Sequence, residues 1–280
     1  MQQDEARRQD RPNEIGALEG AVATTAAERE ACYRLRYRVF VEEMGAQIPP
    51  GHGGLERDRF DAHCHHLLVR DTQSGAVVAC TRVLTDTQAC LTGGFYSAQE
   101  FDLAGIHALP ERVMEIGRTC VDPGWRRGGT IAALWAELAR FMADNRFGYL
   151  IGCASIPMDD GGAAARAITD ALRERHLAPL ARRVRPRRPL PSLAAEAPDP
   201  SNHSSAHSSG RLPPLLKAYM RLGAKIGGEP CWDPDFGCAD LFISLESGDL
   251  QSRYLRHFLE RRRAPEPGHI AEPRRRHIAA

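Results

Sequence analysis

Between residues 112 and 156 the chain passes from an apolar run, through a turn with arginines and glycines, into a long amphipathic helix and out into a second apolar run. This succession restricts the fold more than any other feature. Residues 129–145 repeat their apolar side chains Ile131, Leu134, Trp135, Leu138, Phe141 and Met142 at three- and four-residue intervals, one stripe to bury. Strands at residues 112–121 and 149–156 joined through such a helix run parallel, so the unit predicts an α/β domain.

The rest of the chain extends that reading. Residues 25–44 predict a helix in which Glu42 reaches Arg38 one turn back. Residues 65–70 and 76–84 form a hairpin across Asp71-Thr72-Gln73-Ser74-Gly75, a helix spans 213–226 and a last strand 239–245. A length of 280 residues with 42% hydrophobic content supports one main domain, placed at 23–260. Residues 1–22 read as a flexible leader, 261–280 as a flexible basic tail, and the Pro- and Ser-rich tract at about 185–210 as a disordered insertion.

A formal net charge of +1 excludes a global field for nucleic acid or membrane. No apolar run approaches the roughly 18 residues of a membrane span. The eight cysteines form no CxxC pair and several sit in apolar runs, which suits buried thiols in a reducing cytoplasm.

The turn reads Val121-Asp122-Pro123-Gly124-Trp125-Arg126-Arg127-Gly128-Gly129-Thr130-Ile131. Backbone N–H groups at a helix start attract an anion, glycine lets the backbone approach it, and arginines add charge-assisted bonds. Val121, Arg126, Arg127, Gly128, Gly129 and Thr130 are therefore the candidate phosphate grip. The turn resembles the donor motif of GNAT acyltransferases, whose fold is a mixed central sheet flanked by helices. The motif usually ends in a second small residue, and here Ile131 stands there. That crowds a coenzyme A pyrophosphate and favours a carrier-protein thioester with its single phosphate.

Further segments narrow the resemblance. Tyr33-Arg34-Leu35-Arg36-Tyr37-Arg38-Val39-Phe40, Asp58-Arg59-Phe60-Asp61, Cys80-Thr81-Arg82-Val83-Leu84 and Glu115-Ile116-Gly117-Arg118 are similar both to acyl-homoserine lactone synthases and to ornithine N-acyltransferases. Leu212-Pro213-Pro214-Leu215-Leu216 and Gly228-Glu229-Pro230-Cys231-Trp232-Asp233-Pro234-Asp235-Phe236-Gly237-Cys238-Ala239-Asp240 resemble the second family alone. That resemblance implies transfer of a 3-hydroxyacyl chain from acyl carrier protein to the α-amino group of L-ornithine, towards ornithine lipid. It also implies no tightly bound cofactor beyond the donor's phosphopantetheine arm. The rival readings are lactone synthesis from S-adenosylmethionine and a catalytically silent acyl-binding module.

Amide formation from a thioester needs a proton acceptor for the amine and donors for the oxyanion. Glu115 is the candidate base, or the anion that orients the acceptor's ammonium; the alternative pairs it structurally with Arg118, which in a regular strand needs a bulge. Arg34, Arg82 and Arg118 are candidates for the acceptor carboxylate or the carrier's phosphate, and Asp58 and Asp61 for ornithine's distal ammonium. His63-Cys64-His65-His66 points to alternate faces and predicts no metal, while Asp233, Asp235 and Asp240 read as turn formers. Without a nucleophile elbow, direct attack by the amine is expected. Arg182, Arg183, Arg185, Arg187 and Arg188 offer a basic surface to the acidic carrier, and the tail's arginines leave peripheral membrane contact open.

Overall fold

The computed structural model describes residues 18–47, 53–126, 129–192 and 212–249. In chain order it contains β1 (Leu18–Val22), α1 (Ala26–Arg36), β2 (His65–Asp71), β3 (Val77–Thr85), α2 (Asp86–Thr92), β4 (Phe101–Asp102), α3 (Ala104–His107) and β5 (Val113–Val121). There follow α4 (Thr130–Asp144), β6 (Tyr149–Pro157), α5 (Ala163–His176), β7 (Arg185–Pro186), α6 (Pro214–Leu222), β8 (Lys225–Ile226), β9 (Cys231–Asp233) and β10 (Cys238–Glu246). The main sheet runs β1-β2-β3-β5-β6-β10-β8, with β9 on β10. Only β5 and β6 pair in parallel, so the sheet is mixed, as expected.

The stripe on α4 does what its spacing requires. Leu134, Trp135, Leu138, Phe141 and Met142 are buried against β1, β2, β3 and β5, in the largest core cluster. Each such side chain contributes roughly 1.5–3 kcal/mol on burial. The opposite face is covered at one end by α1, through Cys32, Leu35 and Val39 on Leu68, Cys80 and Cys120, and at the other by the segment around Phe95, Phe101 and Ile106.

Thr25 and Glu28 close α1 with a reciprocal capping box. The helix then loosens into a π-helical turn, Tyr37–Glu43. That widening takes Glu42 out of phase with Arg38, and Arg38 instead reaches Asp122 at 3.4 Å. The expected Arg38–Glu42 pair does not form.

Parts of two tracts read as flexible are ordered. Leu18–Val22, assigned to the leader, pairs antiparallel with β2 as an edge strand. Arg185–Pro186, assigned to the insertion, pairs with β4, and Pro189 bridges Cys231. Backbone pairing with partners distant in sequence orders both, the first an apolar stretch but for Glu19 and the second a polar one. Residues 1–17 of the leader, the insertion from residue 193 on and the whole tail lie outside the described residues. The late helix also stops early: Gly223 takes a left-handed φ of 98°, and Lys225–Ile226 pair with β10. Among the described residues no helix is long and apolar enough to cross a membrane.

The β5/β6 pairing shapes the site. It runs from Val113↔Tyr149 to Ile116↔Gly152, then ends, although each strand continues. At the last pair a Cβ on Gly152 would stand 2.6 Å from the Ile116 carbonyl oxygen. Gly152→Ala is therefore expected to cost about 1–3 kcal/mol, seen as a lower urea midpoint. Beyond it the strands open a cleft whose facing backbone edges have no ladder partner in that pairing.

Candidate active site

The cleft begins at a bulge. Cys80 pairs with Cys120 but Arg82 pairs with Gly117, so β5 carries an extra residue there. Arg118 takes that irregularity with φ 53°, a conformation that costs a non-glycine residue roughly 1–2 kcal/mol. Thr81 spans it: its hydroxyl contacts the Gly117 carbonyl oxygen at 3.2 Å and the Thr119 hydroxyl at 2.8 Å.

The bulge delivers Arg118 into a closed ring of alternating charges. Arg36 donates to Glu56 at 2.5 Å, Glu56 accepts from Arg118 at 3.1 Å, and Arg118 reaches Asp58 at 3.4 Å. Asp58 accepts from Arg82 at 2.6 Å, Arg82 stands 3.3 Å from Asp61, and Asp61 accepts both terminal nitrogens of Arg36 at 2.6 and 3.0 Å. The ring joins α1, the loop after it, β3 and β5. Burial alone would lower the Arg36 pKa, but Asp61 and Glu56 raise it well above its ordinary value; Arg36 and Arg82 hold Asp61 well below the usual carboxylate range against its own burial. His66, beside Asp61, is pushed by burial down to about 4 and is neutral at physiological pH.

The ring redirects several expectations. Arg82, Arg118, Asp58 and Asp61 do converge, but each carboxylate is matched by a guanidinium, so Asp58 and Asp61 have no spare charge for an ammonium. An open depression lined by Tyr33, Arg57, Asp58, Arg59, Asp61 and Ala62 lies beside them. Arg34 is not in the site: it is exposed and paired with Glu30, one turn back on the same helix. Arg36 takes the inner position because it shares the stripe Cys32, Leu35, Arg36, Val39. That phase was legible; nothing in the sequence pointed to Glu56.

Glu115 is buried in β5, and its carboxylate accepts the Tyr96 backbone N–H at 2.5 Å and the Ser97 backbone N–H at 2.8 Å. Its pKa is raised, chiefly by burial. It does not pair with Arg118, although the required bulge exists. Instead the two meet through Tyr96, whose ring lies 5.0 Å from the Arg118 guanidinium, with Phe236 on a further side at 4.8 Å.

At the donor turn Asp122 accepts the Gly124 N–H at 3.0 Å, and Gly129 begins α4 with no capping side chain. The first amides of a 15-residue helix are thus left without a side-chain partner, and the buried Thr130 hydroxyl beside them has no hydrogen-bond partner. Arg126 grips both Glu43 oxygens at 2.6 Å, a pair that is exposed and worth at most about 1 kcal/mol. Ile131 packs partly on the core, and Arg127 and Gly128 lie outside the described residues.

Across the cleft lies a group of acids in which Asp233 and Asp240, read in the sequence with Asp235 as turn formers, are joined by Glu100. Asp233, Cys238 and Asp240 bring one ligand atom each within 4.8 Å of one another, all buried. Asp240 accepts from Ser155 of β6 at 2.6 Å, and Asp233 accepts backbone N–H groups of Asp235 and Phe236. The turn-forming role expected of Asp233 is therefore present beside a second one. Glu100, also buried, interacts chiefly with Asp240 and leaves its Oε2 without a partner.

Burial, then Asp240, pushes the Glu100 carboxyl from its ordinary 4.5 up to about 9; Asp233, Glu115 and the Cys153 thiol also face it, and Asp240 is itself raised by burial. Native Glu100 keeps a proton that the unfolded chain releases. Its contribution to stability is complete below pH 4.5 and fades as pH rises through about 9. Glu100→Gln should flatten that decline, as read from denaturation midpoints across this range.

A family model for an acetyltransferase (GNAT) domain matches residues 35–136, which hold every member of the charge ring. The L-ornithine N(alpha)-acyltransferase of Rhizobium meliloti (strain 1021) is 36% identical over 256 residues, covering 87% of this chain and 85% of that protein. The chain belongs to the L-ornithine N(alpha)-acyltransferase family. The protein of that name from Rhodobacter capsulatus is 34% identical, over 86% of this chain and 94% of its own. A solved CoA-dependent acyl-homoserine lactone synthase, BjaI, matches with a TM-score of 0.51 at 15% identity, covering 88% of each chain, and shares the fold. In this chain the opening beyond the last β5/β6 pair lies between the charge ring and the buried acids.

Proposed function

We propose that the chain transfers a 3-hydroxyacyl group from acyl carrier protein to the α-amino group of L-ornithine, the first step towards ornithine lipid. Membership of a family whose relatives carry that acceptor in their names supports the amine, and the observation that carries the reaction is the cleft. The splayed edges of β5 and β6 offer unpaired amides to a thioester and its pantetheine arm, and the N-terminus of α4 offers amides to the phosphate.

The amine attacks the thioester carbonyl directly, the C–S bond breaks and the carrier thiol leaves with a proton. Cys153, the thiol on β6 within the cleft, is held protonated by burial and by the acids near it, which supports a route without an acyl-enzyme. Arg118 and Arg82 polarise one wall, and Glu115 acts by fixing Tyr96 against Arg118. Arg182 is buried and pairs with Glu246, so the carrier's basic landing surface reduces to the exposed Arg183, Arg185, Arg187 and Arg188. Contact of the tail with a membrane surface belongs to the same proposal.

Purified protein incubated with 3-hydroxyacyl carrier protein and either ornithine or S-adenosylmethionine should give only the acylornithine by mass spectrometry. A lactone product, or turnover with neither, sinks this reading.

A further inference from the structure

The buried charge in this molecule is divided unevenly. On the Arg118 side, three guanidinium groups match three carboxylates in a closed ring. On the other side Glu100, Asp233 and Asp240 are 3%, 4% and 5% exposed, and among the described residues no Lys or Arg stands within ion-pair distance of them. Hydroxyl and backbone donors reach Asp240 and Asp233, but Glu100 Oε2 has none. Buried carboxylates without a counter-ion are costly, so a group of them facing a cleft invites a cation that arrives with the substrate.

The cluster lies where such a cation belongs. Ser155, which binds Asp240, is on the part of β6 beyond the last β5 pair, and Cys153 beside Glu100 is on the same stretch. Phe236, from the turn between β9 and β10, covers Arg118. The acids therefore border the opening from the side opposite the charge ring.

We propose that Glu100, Asp233 and Asp240 form the subsite for the distal ammonium of a diamino acid acceptor, leaving its α-amine to face the thioester. An alkylammonium has three N–H donors; Asp233 and Asp240 come within 4.8 Å of each other here, and Glu100 faces Asp240 beside them. The separation of roles also explains selectivity within one molecule: the amine held by the acids stays charged and non-nucleophilic, while the other attacks. The assignment rests on the acyl-acceptor reading above and moves the ammonium site from Asp58 and Asp61.

The test compares kcat/KM for ornithine and for norvaline, the same chain without the distal ammonium, using one carrier thioester. Wild-type protein should prefer ornithine by ~100-fold or more, as expected of a site whose polar groups are left unpaired by the shorter ligand. Asp240→Asn and Glu100→Gln should each reduce that preference at least ~10-fold, the first by loss of a charged partner and the second because the arriving ammonium can no longer displace the proton that Glu100 holds in the free protein. A purely structural role lowers both acceptors equally and leaves the ratio intact, which would overturn the proposal. So would activity abolished by chelator and restored by a divalent ion with the ratio unchanged, because the acids would then be holding a metal. Glu100→Gln keeps side-chain shape and carries the test if Asp240→Asn does not fold. Should no amino acid be acylated, the functional reading fails separately, and calorimetry on the wild-type protein still decides the subsite: equal affinity for ornithine and norvaline refutes it, a clear ornithine preference upholds it.

Discussion

Arg36→Met is expected to leave the protein largely unfolded under conditions in which Arg34→Ala is nearly silent. Arg36 is 1% exposed and supplies three hydrogen bonds to Glu56 and Asp61, both buried. Its loss strands two carboxylates in the interior, at about 3–5 kcal/mol, a large share of the roughly 5–15 kcal/mol that holds a typical domain together. Arg34 loses one exposed pair with Glu30, worth about 0–1 kcal/mol. Urea denaturation of the two variants measures the contrast. Equal midpoints would mean that the ring contributes no more than a surface bridge.

Glu115→Gln should have the largest effect on turnover. A carboxylate accepts two N–H groups at once, whereas glutamine accepts one and turns its own NH2 against the other donor, here Tyr96 or Ser97. The Tyr96 ring then loses its seat under Arg118. Misplacement on this scale lowers kcat roughly 10²-fold, with the KM for the carrier thioester little changed. The shape of the kcat–pH profile separates the roles: a residue that positions Tyr96 leaves the profile's form intact, whereas removal of a general base erases the acidic limb. Wild-type turnover in the variant would take Glu115 out of the mechanism.

The sequence made α4 and its two flanking strands legible because the 3.6-residue stripe and the apolar runs are local signals. Charge inside that pattern was harder to read. Arg36 sits on the apolar stripe of α1, and its phase marks it as buried, yet its charge argued for the surface until Glu56 and Asp61 supplied partners. The π-helical turn after α1 shifted the register and undid the Arg38–Glu42 pair, an effect no propensity signals. Glu115 and Arg118 stood out by spacing, and the need for a bulge was legible, but the bulge serves the ring rather than a bond between them. Glu100, just before β4, and Asp240, on β10, meet across 140 residues of sequence spacing, and only the register of β10 on β6 reveals that Ser155 faces Asp240. Leu18–Val22, apolar but for Glu19, was hidden by the polar residues before it, and at Arg185–Pro186 the partner strand and not local composition decides order.

The most direct measurement uses ornithine labelled with 15N at the α-nitrogen and a 3-hydroxyacyl carrier protein, with the acylated nitrogen identified by fragmentation of the product. The expected product carries the acyl chain on the labelled α-nitrogen, with the distal amine free. Acylation of the distal nitrogen, or a product made only when S-adenosylmethionine replaces ornithine, would contradict the arrangement of the cleft described for this chain.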